Sequence, residues 1–320
     1  MVTVSKNTSK NPKNNPIMET IVSYPDRGKY GRNSYRGNCS GLLIQDLIKQ
    51  YRLEGLSDFM VGSGTTEDVV KEAGIRGDFA DLNRGFDMMT MDIPNRAENI
   101  FWHPPYHDMI VYSGLQYNVK AVEQATGLAA ETILADDLSR CPSWEEFVKK
   151  MNYCMMKQFT ALDKGGRMFV LMGDMKRKGK LYSMLCDILK PGTLEQVIIK
   201  AQHNCWSDRQ TYSNNNFVPI VHEYLMVVKK DSGLIIPVSW GKTQEYDTRS
   251  FGDQSWRDLV YSVIEENGGQ MSLQELYEAL KDSAKAKRNE HWQEKIRQTV
   301  QNIKKFIRTE RGTYALAPAA

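Results

Sequence analysis

Two kinds of apolar pattern alternate along the first 230 residues. Apolar side chains at helical spacing occur at 42–48 and 144–162, and 68–73 continues as a short helix. Short apolar runs that end in polar residues or glycine predict strands at 58–64, 77–80, 88–91, 100–102, 167–172, 197–200 and 223–228. This interleaving predicts an α/β fold.

The predicted strands end in candidate chemistry. Asp81, Asp92 and His103 each follow a short apolar run directly. In an open α/β sheet, ligands bind in the loops at the carboxyl ends of the strands. We therefore expect these three side chains near one site.

The pattern also predicts how the chain divides. Residues 1–20 are polar with no apolar period and predict a flexible arm, followed by an α/β domain at 21–240. A polar linker is expected at 241–252, and a small unit at 253–320. Within that unit the pattern predicts helices at 256–264, 273–280 and 292–307, then a strand, a turn at Gly312 and a strand over 307–316.

Composition narrows the class of protein. The chain is 41% hydrophobic and 25% charged, which is typical of a soluble globular protein. No apolar run reaches the roughly 18 residues of a membrane helix, and the polar start argues against a signal peptide, so we expect no membrane partner and a cytoplasmic location. Five scattered cysteines without a CxxC pair predict reduced thiols.

Basic charge is concentrated near the end of the chain. Residues 281–311 contain ten basic and four acidic side chains, a net charge of +6, while the whole chain carries +3. The three helices and final hairpin resemble a winged-helix domain, with 292–306 as the recognition helix. The predicted DNA-binding side chains here are Lys304, Lys305, Arg308 and Arg311. Winged helices also serve protein contacts, which is the alternative.

Two short motifs carry the chemistry. Residues 58–66 read Asp-Phe-Met-Val-Gly-Ser-Gly-Thr-Thr, a strand ending in a glycine turn that opens a helix. The turn lacks the Lys-Ser/Thr of a phosphate loop and the dinucleotide spacing, which disfavours ATP and NAD. Residues 101–106 read Phe-Trp-His-Pro-Pro-Tyr, a strand followed by a loop fixed by two prolines. Taken singly, the motifs are also compatible with a structural βα turn and a rigid turn.

In this order, the two motifs resemble the S-adenosylmethionine-dependent DNA amino-methyltransferases, which methylate adenine N6 or cytosine N4. The glycine motif of that family reads Asp-Pro-Phe-x-Gly-Ser-Gly-Thr-Thr, and this chain departs from it at Phe59 and Met60. The resemblance covers about residues 27–230, with the cofactor motifs before the catalytic motif as in the gamma order. It implies a Rossmann-like sheet with helices on both faces.

The resemblance also implies the cofactor, S-adenosylmethionine, and the residues that hold it. Gly37 and Asn38 belong to a segment expected against the methionine part. Asp81 is expected at the ribose hydroxyls and Asp92 beside the adenine ring. The glycine motif supplies the other cofactor-binding candidates, namely Asp58, Gly62, Ser63, Gly64 and Thr65.

The catalytic motif of the family is Asp, Asn or Ser followed by Pro-Pro and an aromatic residue, and here His103 stands first. Hydrogen-bond acceptors at an exocyclic amine favour a pyramidal nitrogen whose lone pair can attack the methyl group. The resemblance assigns these acceptors to the His103 side chain and the Pro104 carbonyl in the loop that Pro105 stiffens, with Tyr106 stacked on a flipped base. Neutral imidazole accepts one such bond, whereas imidazolium accepts none.

Other residues have a second interpretation. Trp206 and Phe217, around the polar span 207–216, are predicted DNA contacts, although anchoring the loop is the alternative. His103, His107 and Asp108 suggest a metal site, but one loop with two prolines is poorly suited to converge ligands, so no metal is expected.

The sequence therefore predicts an enzyme that transfers a methyl group from S-adenosylmethionine to adenine N6 of DNA. The alternatives are an inactive relative that binds DNA as a regulator, a cytosine-N4 methyltransferase and an RNA methyltransferase. The sequence does not define the recognised DNA sequence, the preference for single or double strands, or any paired restriction enzyme. It also leaves the oligomeric state open, with a homodimer as one option.

Overall fold

The computed structural model describes residues 16–203, 218–232, 236–241, 247–250, 255–302 and 304–318. The chain divides into two units, Met1–Lys242 and Thr243–Ala320. Within the described ranges, no helix has both the length and the apolar character needed to cross a membrane.

The first unit alternates helices and strands. Its described helices are α1 (Gly41–Tyr51), α2 (Thr65–Ala73), α3 (Val119–Thr126), α4 (Ala130–Asp136), α5 (Trp144–Ala161) and α6 (Met184–Asp187). Its described strands are β1 (Ile21–Ser23), β2 (Ile100–Trp102), β3 (Arg167–Met172), β4 (Asp174–Arg177), β5 (Lys180–Ser183), β6 (Lys190–Pro191), β7 (Thr193–Ala201), β8 (His222–Lys229) and β9 (Val238–Ser239).

A five-stranded mixed sheet forms the centre of this unit, in the order β1-β7-β8-β3-β2. The outer pairs β1/β7 and β2/β3 are parallel, whereas β8 runs antiparallel to both of its neighbours. Beyond β2, isolated parallel bridges join Ser57 to Ile100 and Asp58 to Phe79. The glycine turn and the loop after β2 therefore leave the sheet at the same end of its strands, the carboxyl-terminal end.

Helices cover both faces of the sheet. Successive side chains of a strand point to opposite faces, and the two apolar clusters follow this alternation. Phe101 and Phe169 pack with side chains of α1 and α2, while Ile100 and Met168 pack with those of α5. The prediction of an α/β fold with helices on both faces is confirmed.

Helix α5 shows why the local sequence folds as it does. The Ser143 hydroxyl accepts the backbone N–H of Glu146 at 3.1 Å, and two acidic side chains occupy the first turn, where the helix dipole favours them. Residues of its apolar stripe, including Phe147, Met151 and Phe159, are fully buried. The predicted helix at 144–162 thus exists almost to the residue.

Four local predictions differ from the structure. The predicted strand at 58–64 is an isolated bridge at Asp58 followed by turns. Residues 77–80 form an isolated bridge rather than a strand. Residues 88–91 form a turn, because the Asp87 carboxylate accepts the Met89 N–H at 2.9 Å and the Thr90 hydroxyl at 2.9 Å. Met18, which falls within the predicted arm at 1–20, is buried in the core, and residues 1–15 of that arm lie outside the described residues.

The second unit combines helices with a small sheet. It contains α7 (Trp256–Glu266), β10 (Gln270–Ser272), α8 (Leu273–Leu280), α9 (Ala284–Lys287), α10 (Trp292–Asn302), β11 (Phe306–Glu310) and β12 (Thr313–Leu316). The strands form an antiparallel sheet in the order β10-β12-β11. The predicted helix at 292–307 is shorter than expected, because Phe306 begins β11 and packs into the apolar cluster of this unit. The winged-helix assignment stays a prediction.

Candidate functional site

A cleft opens where the glycine turn and the loop after β2 leave the sheet. It encloses about 920 Å³ of empty space, with the solvent at its mouth included. Predicted site residues that line it are Gly37, Asn38, Asp58, Gly62, Ser63, Thr65, Asp81, His103 and Pro105.

The Asp58 carboxylate holds the glycine turn in shape. It accepts the Met60 N–H at 3.0 Å and the Thr66 hydroxyl at 2.6 Å, and so connects the start of the turn to the first turn of α2. Gly62 and Gly64 have φ of 51° and 91°, a region that favours glycine. Gly64 is the N-cap residue of α2. Burial raises the pKa of Asp58 to about 7.

Asp81 lies at the far side of the same turn. Its carboxylate accepts the Gly62 N–H at 2.8 Å and the Asn83 N–H at 3.0 Å. Burial raises its pKa above the usual value, and the two backbone donors oppose that rise. Each carboxylate oxygen has a second lone pair. Asp81 can therefore hold the turn and accept hydrogen bonds from a ligand in the cleft.

The segment before α1 closes one wall of the cleft. The Asn38 side-chain oxygen accepts the Ser63 hydroxyl and, at 3.4 Å, the Thr65 hydroxyl. These contacts bring together two stretches that are 25 residues apart. Asn38, which is predicted to lie beside the methionine part of the cofactor, and the glycine turn therefore line the same cleft.

Part of the cleft wall, in the segment that follows the Pro-Pro motif, was not predicted from the sequence. Tyr112, Tyr117, Asp136, Asp137 and Leu138 also line the cleft. The Tyr117 hydroxyl donates to Asp137 at 3.1 Å, and the rings of Tyr35 and Tyr112 lie 5.7 Å apart. No short motif marks these residues, because they reach the cleft through the packing of α3 and α4.

Asp92 lies elsewhere. It is exposed and is not among the residues that line the cleft, whereas Asp87 lines it and is buried. The reason is the turn at 88–91, which separates the two carboxylates where the sequence analysis expected a strand. Of the two carboxylates, that of Asp87 lines the cleft.

The lining is acidic. Five aspartates contribute to it, Asp58, Asp81, Asp87, Asp136 and Asp137. Among the described residues, none that lines the cleft is a lysine or arginine. Such a lining repels phosphate groups and attracts a cation in a site of low dielectric constant.

A chain of buried polar side chains links the loop after β2 to β7 and β8. His103 Nε2 lies 3.0 Å from the Tyr106 hydroxyl, which donates to Glu223 Oε1 at 2.7 Å. Glu223 Oε2 accepts from Lys200 Nζ at 2.7 Å. Lys200 and Glu223 are 8% and 6% exposed. Four side chains from three elements thus form one connected network.

The charges in this network are coupled. Burial lowers the pKa of His103 below its usual value, which favours neutral imidazole. Burial also raises the pKa of Tyr106, with a further rise from Glu223. For Glu223, burial raises the pKa, but the Lys200 ammonium and the Tyr106 hydroxyl help to hold it below the usual value. The network therefore contains an ionised glutamate and neutral histidine and tyrosine at pH 7.

The rest of the Pro-Pro motif is tightly packed. Pro104 is buried, whereas Pro105 lines the cleft. The Tyr106 ring lies beside Gly173, just after β3, where an added Cβ would stand 2.6 Å from Tyr106 Cε2. A glycine at this position is what allows the ring to approach the end of β3.

Lys200 and Glu223 were missed by the sequence analysis. They lie about 100 residues or more from the Pro-Pro motif and stand opposite each other in the register of β7 and β8. The available signal was a charged residue at the end of each of two apolar runs, 197–200 and 223–228. Only the strand pairing brings the two charges together.

The histidines of the suggested metal site point to different partners. His107 Nε2 lies 3.0 Å from the Cys141 carbonyl oxygen and Nδ1 lies 2.8 Å from Asp108, whereas His103 contacts Tyr106. Within the described ranges, no group of three or more His, Cys, Asp or Glu side chains is placed to hold a metal ion.

The predicted DNA-binding residues fall into two groups. Trp206 and Phe217 lie outside the described residues. Lys304, Lys305, Arg308 and Arg311 are all exposed in the second unit. Lys305 Nζ lies 5.3 Å from the centre of the Tyr261 ring.

No family model matches the chain, and no curated protein matches it. Solved structures similar to it include methyltransferases. A protein named DNA modification methylase from Thermus thermophilus is 12% identical, with 65% of this chain and 63% of that one covered and a TM-score of 0.26. An S-adenosylmethionine-dependent methyltransferase from Clostridium acetobutylicum is 10% identical, with 60% and 91% covered and a TM-score of 0.27.

A third similar structure is CalS10, an amino pentose methyltransferase from Micromonospora echinaspora with S-adenosylmethionine bound. It is 9% identical, with 44% of this chain and 58% of that one covered and a TM-score of 0.21. The chain therefore spans less than two thirds of the Thermus and Micromonospora proteins.

Proposed function

We propose that this protein is an S-adenosylmethionine-dependent DNA methyltransferase that acts on adenine N6. The observation that carries the proposal is that the glycine turn, Asp81 and His103 line one acidic cleft. A cofactor site and a candidate hydrogen-bond acceptor for an amine are thus adjacent. The resemblance of the two motifs to the DNA amino-methyltransferases supplies the reaction.

The cleft suits the charge of the cofactor. S-adenosylmethionine carries a sulfonium and an ammonium group against a single carboxylate, and five aspartates line the cleft. Asp81 offers free lone pairs for the ribose hydroxyls, and Asp87 is the carboxylate placed for the adenine side. Asn38 and the glycine turn would bound the methionine part. A nucleotide with several phosphates suits this lining poorly.

The residues of the catalytic loop prepare the target amine. The bound cofactor supplies an electrophilic methyl group. The His103 side chain and the Pro104 carbonyl accept hydrogen bonds from the amine, which directs its lone pair out of conjugation with the ring. The Tyr106 ring, fixed by its hydroxyl and by the space at Gly173, offers a stacking face for a flipped base. A tyrosine in this place favours adenine over cytosine within the family that the motif resembles.

DNA as substrate is supported by the charge of the second unit. Four exposed basic side chains lie at the end of α10 and in the β11–β12 hairpin, the region expected of a winged helix that binds phosphates. We propose that this unit is such a winged helix and supplies most of the sequence-independent affinity for DNA.

The test is a transfer assay with methyl-labelled S-adenosylmethionine on DNA of mixed sequence. Label in DNA, found as N6-methyladenine after enzymatic hydrolysis to nucleosides, is the expected result. Recovery of N4-methylcytosine would correct the target base, and label in RNA alone would correct the nucleic acid. If the protein binds the cofactor and DNA but transfers no label, the inactive regulator replaces the enzyme.

A further inference from the structure

The network behind His103 determines which ring nitrogen carries its proton. Lys200 lies 2.7 Å from Glu223 and keeps that carboxylate ionised, so both glutamate oxygens only accept hydrogen bonds. The Tyr106 hydroxyl lies 2.7 Å from Glu223 and must donate its single proton there.

Having donated to Glu223, the Tyr106 oxygen can only accept from His103. The partner atom is Nε2, at 3.0 Å, so Nε2 is the protonated nitrogen of a neutral imidazole. The direct distance from Nε2 to Glu223 is 3.9 Å, too long for a hydrogen bond that would bypass the tyrosine. Among the described residues, none forms a hydrogen bond with His103 Nδ1.

We propose that Lys200 and Glu223 are positioning residues that fix His103 as its Nε2–H tautomer through the Tyr106 hydroxyl, and so leave Nδ1 free to accept from the target amine. The role of Nδ1 toward an amine rests on the proposed function. The tautomer itself depends only on the four side chains. The arrangement is similar to catalytic sites in which a carboxylate orients a histidine base, except that a tyrosine lies between the carboxylate and the imidazole.

Replacing Glu223 by glutamine removes the charge and keeps the shape of the side chain. This change should reverse the direction of the hydrogen bonds from Glu223 to His103. In Glu223→Gln, the Lys200 ammonium can only donate, so it selects the amide oxygen and turns the amide nitrogen toward Tyr106. The amide then donates to the Tyr106 oxygen, and the hydroxyl proton turns to His103 Nε2. His103 must then carry its proton on Nδ1.

Nitrogen-15 NMR of histidine-labelled protein measures this directly, because protonated and bare ring nitrogens differ strongly in chemical shift. The His103 signals are assigned by their absence in His103→Asn. We expect Nε2–H in the wild type and Nδ1–H in Glu223→Gln. The matched control is Glu195→Gln, which removes a β7 carboxylate paired with Arg167 outside the cleft and should leave the wild-type tautomer unchanged.

Tyr106→Phe is the second variant, and it keeps the test decisive if Glu223→Gln does not fold. Without the hydroxyl, the two His103 nitrogens should show averaged shifts. A wild-type spectrum with Nδ1–H, or an unchanged tautomer in both variants, overturns the inference.

The transfer assay separates this inference from the proposed function. We expect methyl transfer to fall by about 10²-fold or more in Glu223→Gln, with S-adenosylmethionine affinity unchanged. If the wild type shows the expected tautomer but transfers no methyl group, the proposed function fails and the positioning network stands. If Glu223→Gln has the reversed tautomer and transfers at the wild-type rate, Nδ1 is not the acceptor and the inference fails.

Discussion

His103 stands where the family that the motif resembles has Asp, Asn or Ser. A carboxylate accepts hydrogen bonds at any pH near neutral, whereas an imidazole accepts only while it is uncharged. Burial lowers the pKa of His103, so its neutral form persists below the usual titration range. The substitution therefore keeps an acceptor in the cleft and adds a dependence on pH.

The first prediction tests that acceptor. His103→Ala should lower the methylation rate by about 10²-fold or more, with little change in cofactor affinity, because an interaction made chiefly in the transition state is removed. His103→Asp and His103→Asn should retain more activity than the alanine variant. Wild-type methylation should fall only when the pH drops below the usual histidine range. An alanine variant that methylates at the wild-type rate would remove His103 from the mechanism.

A second prediction concerns the cofactor. Asp81→Ala should weaken S-adenosylmethionine binding by about 1.5–3 kcal/mol for each charged hydrogen bond removed, measured by calorimetric titration. Asp92→Ala is the matched control, since Asp92 is exposed and lies outside the lining. Equal effects in the two variants would contradict the assignment of Asp81. Circular dichroism separates a missing hydrogen bond to the ligand from collapse of the turn that Asp81 supports.

At the scale of elements, long periodic segments were predictable and short ones were not. Helix α8 and strand β3 have the predicted boundaries, because each buries a regular apolar pattern. The run at 88–91 is as apolar as a strand, but a single Asp87 side chain turns its backbone. Local hydrogen bonds of this kind compete with strand pairing, and composition does not reveal which one is stronger.

The candidate site divides in the same way. Most residues of the two motifs line the cleft, since each motif is continuous in sequence, although Gly64, Pro104 and Tyr106 are not among the lining residues. Glu223 and Tyr112 were not predicted, because strand register places Glu223 against Tyr106, and Tyr112 reaches the cleft from a segment distant from both motifs. The pattern of apolar and polar residues along one segment does not show which residues of distant segments will lie beside it.

The third prediction concerns Asp58, which ties the glycine turn to α2. Its pKa is about 7 in the folded protein against an ordinary 3.8, so the folded state binds more protons between those values. The stability that this group contributes is thus complete below about pH 4 and is lost as the pH rises to about 7. Asp58→Asn does not titrate. Its free energy of unfolding in urea, minus that of the wild type, should increase over this range; a constant difference would show that the carboxyl is not perturbed.

At the scale of the molecule, charge is distributed unevenly between cleft and second unit. The fourth prediction concerns a variant in which glutamine replaces four basic residues together, namely Lys304, Lys305, Arg308 and Arg311. Each DNA phosphate that is no longer neutralised should reduce the slope of log affinity against log salt by about 0.9, measured by fluorescence anisotropy with labelled DNA. Cofactor affinity should not change. A variant that keeps the full salt slope would assign this unit to a protein partner.

The apolar cluster of the second unit draws on residues of that unit alone, and its members Leu259, Leu276 and Ile296 are fully buried. Each unit therefore has its own core, and a ligand stabilises the unit that binds it by mass action. At a hundred times its dissociation constant, S-adenosylmethionine should add about 2.7 kcal/mol to the unfolding free energy of the unit that contains the cleft. Scanning calorimetry should then show the transition of that unit moving to higher temperature with cofactor, while the transition of the second unit responds to DNA instead.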